Sequence, residues 1–141
     1  KQYFEPDILL KDGDTLTLGN TTMTFLETPG HTKGTVSLFF ETQEAGKAYR
    51  VGMFGGAGAN TLQQGSFDFD GCREAYRASV RRLQKEHVDV FIGNHTWNND
   101  TFPKAKCLKE TGENAFLDPT LWNRFLTFCE DRLDQTIEKD G

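Results

Sequence analysis

The 141-residue chain is short of most features that would place it outside the packed globular domains. Its three cysteines, Cys72, Cys107 and Cys129, are too few and too scattered for a disulfide framework, and none forms a CxxC pair. One bridge plus a free thiol and three reduced buried thiols both stay open, so the compartment is undecided between periplasmic or secreted and cytoplasmic. No run approaches the roughly 18 apolar residues of a spanning helix, and no membrane partner is expected. No leader of a charged segment followed by an apolar one is visible. The chain begins at Lys1 rather than Met, as a processed or excised piece would. A surplus of positive charge is also lacking. The formal net charge is −5, which argues against binding a phosphate backbone, and no nucleic-acid partner is expected. Arg73, Arg77, Arg81, Arg82 and Lys85 do cluster on one predicted helix, but Glu74 and Glu86 are mixed among them, and the pattern reads as a solvated helix face. The glycine run from Gly55 to Asn60 lacks the Gly-Lys-Ser/Thr of a phosphate loop, and neither the Gly-x-Ser-x-Gly nor the Ser-x-x-Lys constellation of serine hydrolases is present.

What is present is a globular composition, 36% hydrophobic and 26% charged with 12 Phe, in a length that suits one domain or a half-domain. Short strand-like runs fill the first half: 8–10, 15–18, 22–26, 36–40 and 49–54. Lys11-Asp12-Gly13-Asp14 and Gly19-Asn20 are turn signals between them. The second half turns helical. Residues 70–86 place Ala75, Tyr76, Val80 and Leu83 on one face, with Asp68 or Asp70 positioned to cap the start. Val88-Asp89-Val90-Phe91-Ile92 reads as a further strand, and the strand, helix, strand order suggests an α/β crossover. A short helix is expected over 101–111, closed by Gly112. A longer one starts at Asp118-Pro119 and carries a stripe of Leu121, Trp122, Phe125, Cys129, Leu133 and Ile137, with 138–141 fraying.

Only three histidines are available for chemistry, and two occupy the same kind of place. His31 and His95 each follow a strand, beside glycine, in a short polar loop, so in a layered α/β fold both face one rim. Neutral imidazole suits a borderline-soft ion such as zinc. Either histidine alone would read as a hydrogen-bonded turn residue, and the pairing is what favours a metal role. His87, at the end of the arginine-rich helix, suits the negative end of the helix dipole and is given no ligand role. Asn98 and Asn99, near His95, are candidates to hydrogen-bond a substrate carboxylate or carbonyl, with Trp97 as a pocket wall. Asn-Asn-Asp is also a strong turn composition. No catalytic side chain is assigned.

Thr28-Pro29-Gly30-His31-Thr32, followed by Gly34, resembles the metallo-β-lactamase superfamily, where this turn supplies a zinc-binding histidine at the edge of an αββα sandwich. Asp12-Gly13 with Thr15 to Gly19 resembles the strand before that loop, residues 70–86 the late helix, and 88–95 the strand bearing the last histidine. The layout of 65–137 is most similar to the di-zinc lactamase subclass without a cysteine ligand. The resemblance implies an α/β chain forming the C-terminal half of the sandwich, a mixed sheet with flanking helices. It implies that His31 ligates one zinc and His95 the other, with two zinc ions in the complete protein. It also implies a hydrolase in which metal-activated hydroxide attacks an amide or ester carbonyl, a β-lactam first and a thioester or lactone second.

Two departures qualify this. The superfamily's His-x-His-x-Asp-His is absent, so most metal ligands and the N-terminal half are expected elsewhere, and the isolated chain is expected to be inactive. The position where many dinuclear relatives carry a bridging aspartate falls among Gly55, Gly56 and Ala57, which favours the lactamase subclass over the glyoxalase-II-like branch and is equally consistent with a weakened second site. A half sandwich leaves a face to cover, so a homodimer or a complementing N-terminal half is expected, besides a small-molecule substrate for the complete protein. The reading from another class is a non-catalytic remnant used for assembly.

Overall fold

The fold is described by a computed structural model covering residues 5–141. Five strands form one mixed sheet in sequence order: β1 (Thr15–Leu18), β2 (Thr21–Glu27), β3 (Val36–Glu44), β4 (Lys47–Met53) and β5 (Val90–Phe91). The first three pairings are antiparallel and β4 to β5 is parallel. The parallel step is the expected crossover, made by α1 (Cys72–Leu83). Helices α2 (Thr101–Thr111) and α3 (Leu121–Asp140) follow. This is the α/β arrangement of a mixed sheet with flanking helices that the sequence implied.

The pairing register sorts the sheet into two faces, because side chains alternate along each strand. Thr24, Phe39 and Gly52 stand in line on one face. That face meets α1 and α3 in a core containing Leu26, Phe39, Tyr76, Leu83, Phe91, Trp122 and Leu126. Trp122 packs edge-on against Phe39 and Phe91 and donates its indole N–H to the Leu83 carbonyl at 2.9 Å. The opposite face carries Leu16, Met23, Phe25, Leu38, Phe40 and Met53 in adjacent register. All six are half-buried, and none belongs to or packs against the core.

Several expected boundaries move. Residues 8–10 form no strand, and Leu9 is 79% exposed. The backbone that pairs with β2 there is instead the turn after them, where Gly13 N–H donates to the Phe25 carbonyl and Phe25 N–H to the Asp14 carbonyl. The expected strand at 88–92 shrinks to two residues at the sheet edge, although Asp89 and Ile92 still donate to the Arg50 and Gly52 carbonyls and Val90 bridges Leu117 on its other side. Helix α1 starts after Gly71, which takes a positive φ and leaves no side-chain cap. Asp68 is engaged elsewhere, accepting the Lys33 N–H at 2.9 Å. Helix α3 likewise begins two residues after Pro119, with Asp118 bracing the preceding turn through Thr120.

The arginine row on α1 remains partly solvated, the Arg81 side chain being 63% exposed, but its charges are paired across a seam. Arg77 and Arg81 pair with Glu130, Arg77 also with Asp134, and Arg73 with Asp140, all on α3. Charges two helices apart in sequence thus meet across a packed seam, which no local pattern reveals. The same contacts explain why the tail does not fray before Asp140: its carboxylate also accepts the Gln64 N–H at 2.8 Å. Ile137, at 37% exposure, leaves the apolar stripe. The three cysteines are free thiols, with Cys72 and Cys129 buried, and burial pushes the Cys129 thiol up to about 11. Among the described residues no helix is long and apolar enough to cross a membrane.

Helix α1 lies directly on the loop after β2. Ser79 Oγ donates to the Pro29 carbonyl at 2.8 Å, and a Cβ on Gly30 would stand 2.5 Å from Tyr76 Cα. Gly30 also has φ +148, whereas a Cβ on Gly34 would meet nothing within 4 Å and its φ is not positive. Gly30→Ala is therefore expected to cost about 3 kcal/mol or more and Gly34→Ala less than about 0.5 kcal/mol, read from urea midpoints. Equal costs at the two positions would refute this account of the loop.

Candidate metal centre

The loop from β2 to β3 is closed by backbone and hydroxyl bonds before any ligand is considered. Thr28 N–H donates to the Thr35 carbonyl at 2.9 Å, Gly30 N–H to the Thr32 carbonyl at 3.1 Å, and the buried Thr28 and Ser37 hydroxyls meet at 2.8 Å. His31 is thereby fixed at the end of β2, half-buried.

Its ring is oriented by a second segment. His31 Nδ1 lies 2.8 Å from the Gly58 carbonyl oxygen. A carbonyl only accepts, so Nδ1 carries the proton, and the neutral ring presents its lone pair at Nε2. Thr61 Oγ1 gives its own proton to the His31 carbonyl at 2.6 Å and sits 3.1 Å from Nδ1 as a further acceptor. A histidine whose inner nitrogen is tied to a carbonyl and whose outer nitrogen is free is the arrangement that orients imidazole metal ligands.

The glycine segment that holds His31 has no room for side chains at its first two positions. A Cβ on Gly55 would lie 2.1 Å from the Val36 carbonyl oxygen, and one on Gly56 would lie 2.5 Å from Thr35 Cγ2 and 3.0 Å from His31 Cβ. This backbone therefore admits no bridging carboxylate at 55 or 56. Tyr76 fixes the same segment from below, its hydroxyl donating to the Ala57 carbonyl at 2.9 Å, and burial pushes that phenol far above its usual range.

His95 arrives from β5. Asn94 Nδ2 donates to the Gly55 carbonyl at 2.9 Å, which ties its loop to the glycine segment. Its exposed ring stacks on Trp97, with centroids 4.2 Å apart and planes 10° from parallel. Neither ring nitrogen has a hydrogen-bond partner among the described residues. A cavity of about 500 Å³ opens here, bordered by Gly58, His95, Trp97, Phe125, Phe128 and Arg132, with Asn98 also on its wall. Gly58 thus touches both halves of the site: its carbonyl holds His31 and its backbone borders the cavity of His95. The two asparagines diverge. Asn98 donates to Asn94 Oδ1 at 2.6 Å, while Asn99 is buried, donating to the Phe91 carbonyl and accepting from Thr101. His87 lies apart, 2.9 Å from Asp89 Oδ1.

The donor chemistry of His31 and His95 fits zinc, but the shell is not completed here. Among the described residues no group of three or more His, Cys, Asp or Glu side chains converges on one point. Sequence reasoning singled out His31 and His95 as candidates and missed Gly58 and Thr61, which contact His31, since neither has a local signature. Phe128 and Arg132 were also missed, although their i,i+4 spacing beside the apolar stripe is a readable signal.

No protein-family model matches the chain. It is 32% identical over 112 residues to a hydroxyacylglutathione hydrolase from Hyphomonas neptunium, covering 74% of this chain and 41% of that protein. A crystal structure of a subclass B3 metallo-β-lactamase of Bradyrhizobium japonicum superposes with TM-score 0.89 at 27% identity, covering 97% of this chain and 52% of that one. A native metallo-β-lactamase from Legionella gormanii gives TM-score 0.85 at 27% identity, covering 93% and 51%. The chain therefore spans about half the length of the solved structures it matches, and less of the curated relative.

The geometry of His31 is open to direct measurement. Long-range ¹H–¹⁵N spectra at neutral pH are expected to show the Nδ1–H tautomer for His31. The Nε2–H form would contradict the Gly58 bond.

Proposed function

We propose, from the premise that this chain belongs by its fold to the metallo-β-lactamase superfamily, that it is the C-terminal portion of a zinc-dependent hydrolase of β-lactamase type. The single observation that carries the reading is His31: it stands at a strand end with Nδ1 tied to the Gly58 carbonyl and Nε2 left free. His95 is the second ligand, on the far side of the glycine segment. Bound zinc would supply Lewis acidity for hydrolysis at an amide or ester carbonyl. This chain's part is to hold the His31 imidazole in fixed orientation, with Thr61 and Gly58 keeping its proton on the inner nitrogen, and to present His95 stacked on Trp97. Asn98 borders the cavity and is the better placed of the two asparagines to meet a substrate. With two ligands, the chain alone is inactive. The remaining ligands belong to an N-terminal half.

The absence of space for a carboxylate at Gly55 and Gly56 supports the lactamase branch. The 32% identity to a hydroxyacylglutathione hydrolase favours a second reading, hydrolysis of a thioester.

The apolar sheet face of Leu16, Met23, Phe25, Leu38, Phe40 and Met53 is the surface on which the other half would pack. Alone, the chain is expected to cover it by dimerising, so that light scattering reports about twice the 15.9 kDa chain mass. A well-folded, monodisperse monomer would sink that expectation.

The functional test compares this chain with the protein that includes an upstream half. The longer protein is expected to bind zinc and hydrolyse nitrocefin, and the chain alone to do neither. His31→Ala or His95→Ala in the longer protein is expected to lower zinc affinity and activity at least 10-fold. No zinc binding by the longer protein would turn the reading to a non-catalytic assembly module, and cleavage of a glutathione thioester without nitrocefin turnover would favour the second reading.

A further inference from the structure

The cavity beside His95 holds a second chemical feature that the metal reading does not use. Of the seven arginines, six are paired with carboxylates: Arg50 with Glu86, Arg73 with Asp140, Arg77 and Arg81 with Glu130, Arg82 with Asp12 and Arg124 with Asp118. Arg132 has no such partner among the described residues, and its guanidinium makes no hydrogen bond there. It lies 5.8 Å from the Phe128 ring centroid, at the border of the cavity. Among the described residues no aspartate or glutamate borders that cavity, so none opposes the charge of Arg132 within it.

The other walls mix the uncharged polar side chains of Asn60, Asn98 and His95 with aromatic surface. Trp97, Phe125 and Phe128 supply aromatic surface, and Phe125 and Phe128 stack obliquely with centroids 6.3 Å apart. A site that combines aromatic walls with one unpaired guanidinium matches an organic anion with a hydrophobic body: the rings remove the body from water, and the planar fork accepts a carboxylate with two parallel bonds. A neutral isostere of the same shape keeps the first contribution and loses the second.

We propose that Arg132 is a specificity-determining residue that selects carboxylate-bearing ligands in the cavity between α3 and the His95 loop. The carboxylate sits at Arg132, the apolar body lies on Phe128 and Trp97, and the far end points toward His95. The identity of the ligand as a hydrolase substrate rests on the preceding reading, whereas its preference for an anion rests on this cavity alone.

The test is calorimetric titration of the longer protein with 4-phenylbutanoate and, separately, with 4-phenylbutanamide. The acid is expected to bind about tenfold more tightly. Arg132→Gln is expected to abolish the preference while leaving the amide's affinity and the circular dichroism spectrum unchanged, and Arg132→Lys to keep part of it through its charge. Higher salt is expected to weaken the acid and not the amide. Equal affinities in the wild type, no binding of either compound, or a preference that survives in Arg132→Gln would overturn the proposal. Hydrolysis is scored separately: an acid preference without zinc binding or turnover supports the anion site and sinks only the hydrolase reading. Turnover with no acid preference does the reverse.

Discussion

The candidate site depends on how closely α1 approaches the loop after β2. Tyr76 is fully buried, and its backbone leaves no room for even a methyl group on Gly30, while its hydroxyl reaches the Ala57 carbonyl on the other side. One residue thus sets the height of two segments at once, the loop carrying His31 and the glycine segment whose Gly58 carbonyl, one residue further on, orients that histidine. Ser79, one turn along the same helix, secures the loop a second time through Pro29. A stiff site follows, because burial keeps the phenol protonated and the helix is itself locked by the core. Preorganisation of this kind lowers the entropic cost of holding the His31 ring in one orientation.

The sheet beneath carries unequal loads on its two faces. One face is sealed by α1 and α3 around Phe39 and Trp122, and the seam between those helices is reinforced by arginines and acids that lie far apart in sequence. The other face is apolar but half-buried, with no helix of the described chain packed on its centre. A soluble fold seldom leaves such a surface bare. The matched structures are about twice as long as this chain.

The site has the same half-built character as the sheet. One imidazole is constrained by a carbonyl and the other lies on an indole, and the glycine segment tied to both loops has no space for a side chain at Gly55 or Gly56. Beside them is a cavity with aromatic walls and a single unopposed cation. The His31 ring and the cavity beside His95 share the backbone of Gly58, so displacing that residue would disturb both.

Much of this was legible in the primary structure. The loop from Glu27 to Thr35 announced itself through Pro29, Gly30 and His31, the β-branched run at Val88 located the second histidine, and alternation and helical periodicity placed most elements because both are local consequences of which face is buried. The resemblance to a superfamily followed from the same loop. What no local pattern determined was which residues meet: that Thr61 and Gly58 would hold His31, that Asp68 would serve Lys33 rather than cap a helix, that the arginine row would face acids on α3, and that Arg132 would be left without one. Those outcomes are set by contacts between positions tens of residues apart, where packing decides which polar groups are brought within hydrogen-bonding distance, and only the tertiary structure fixes them.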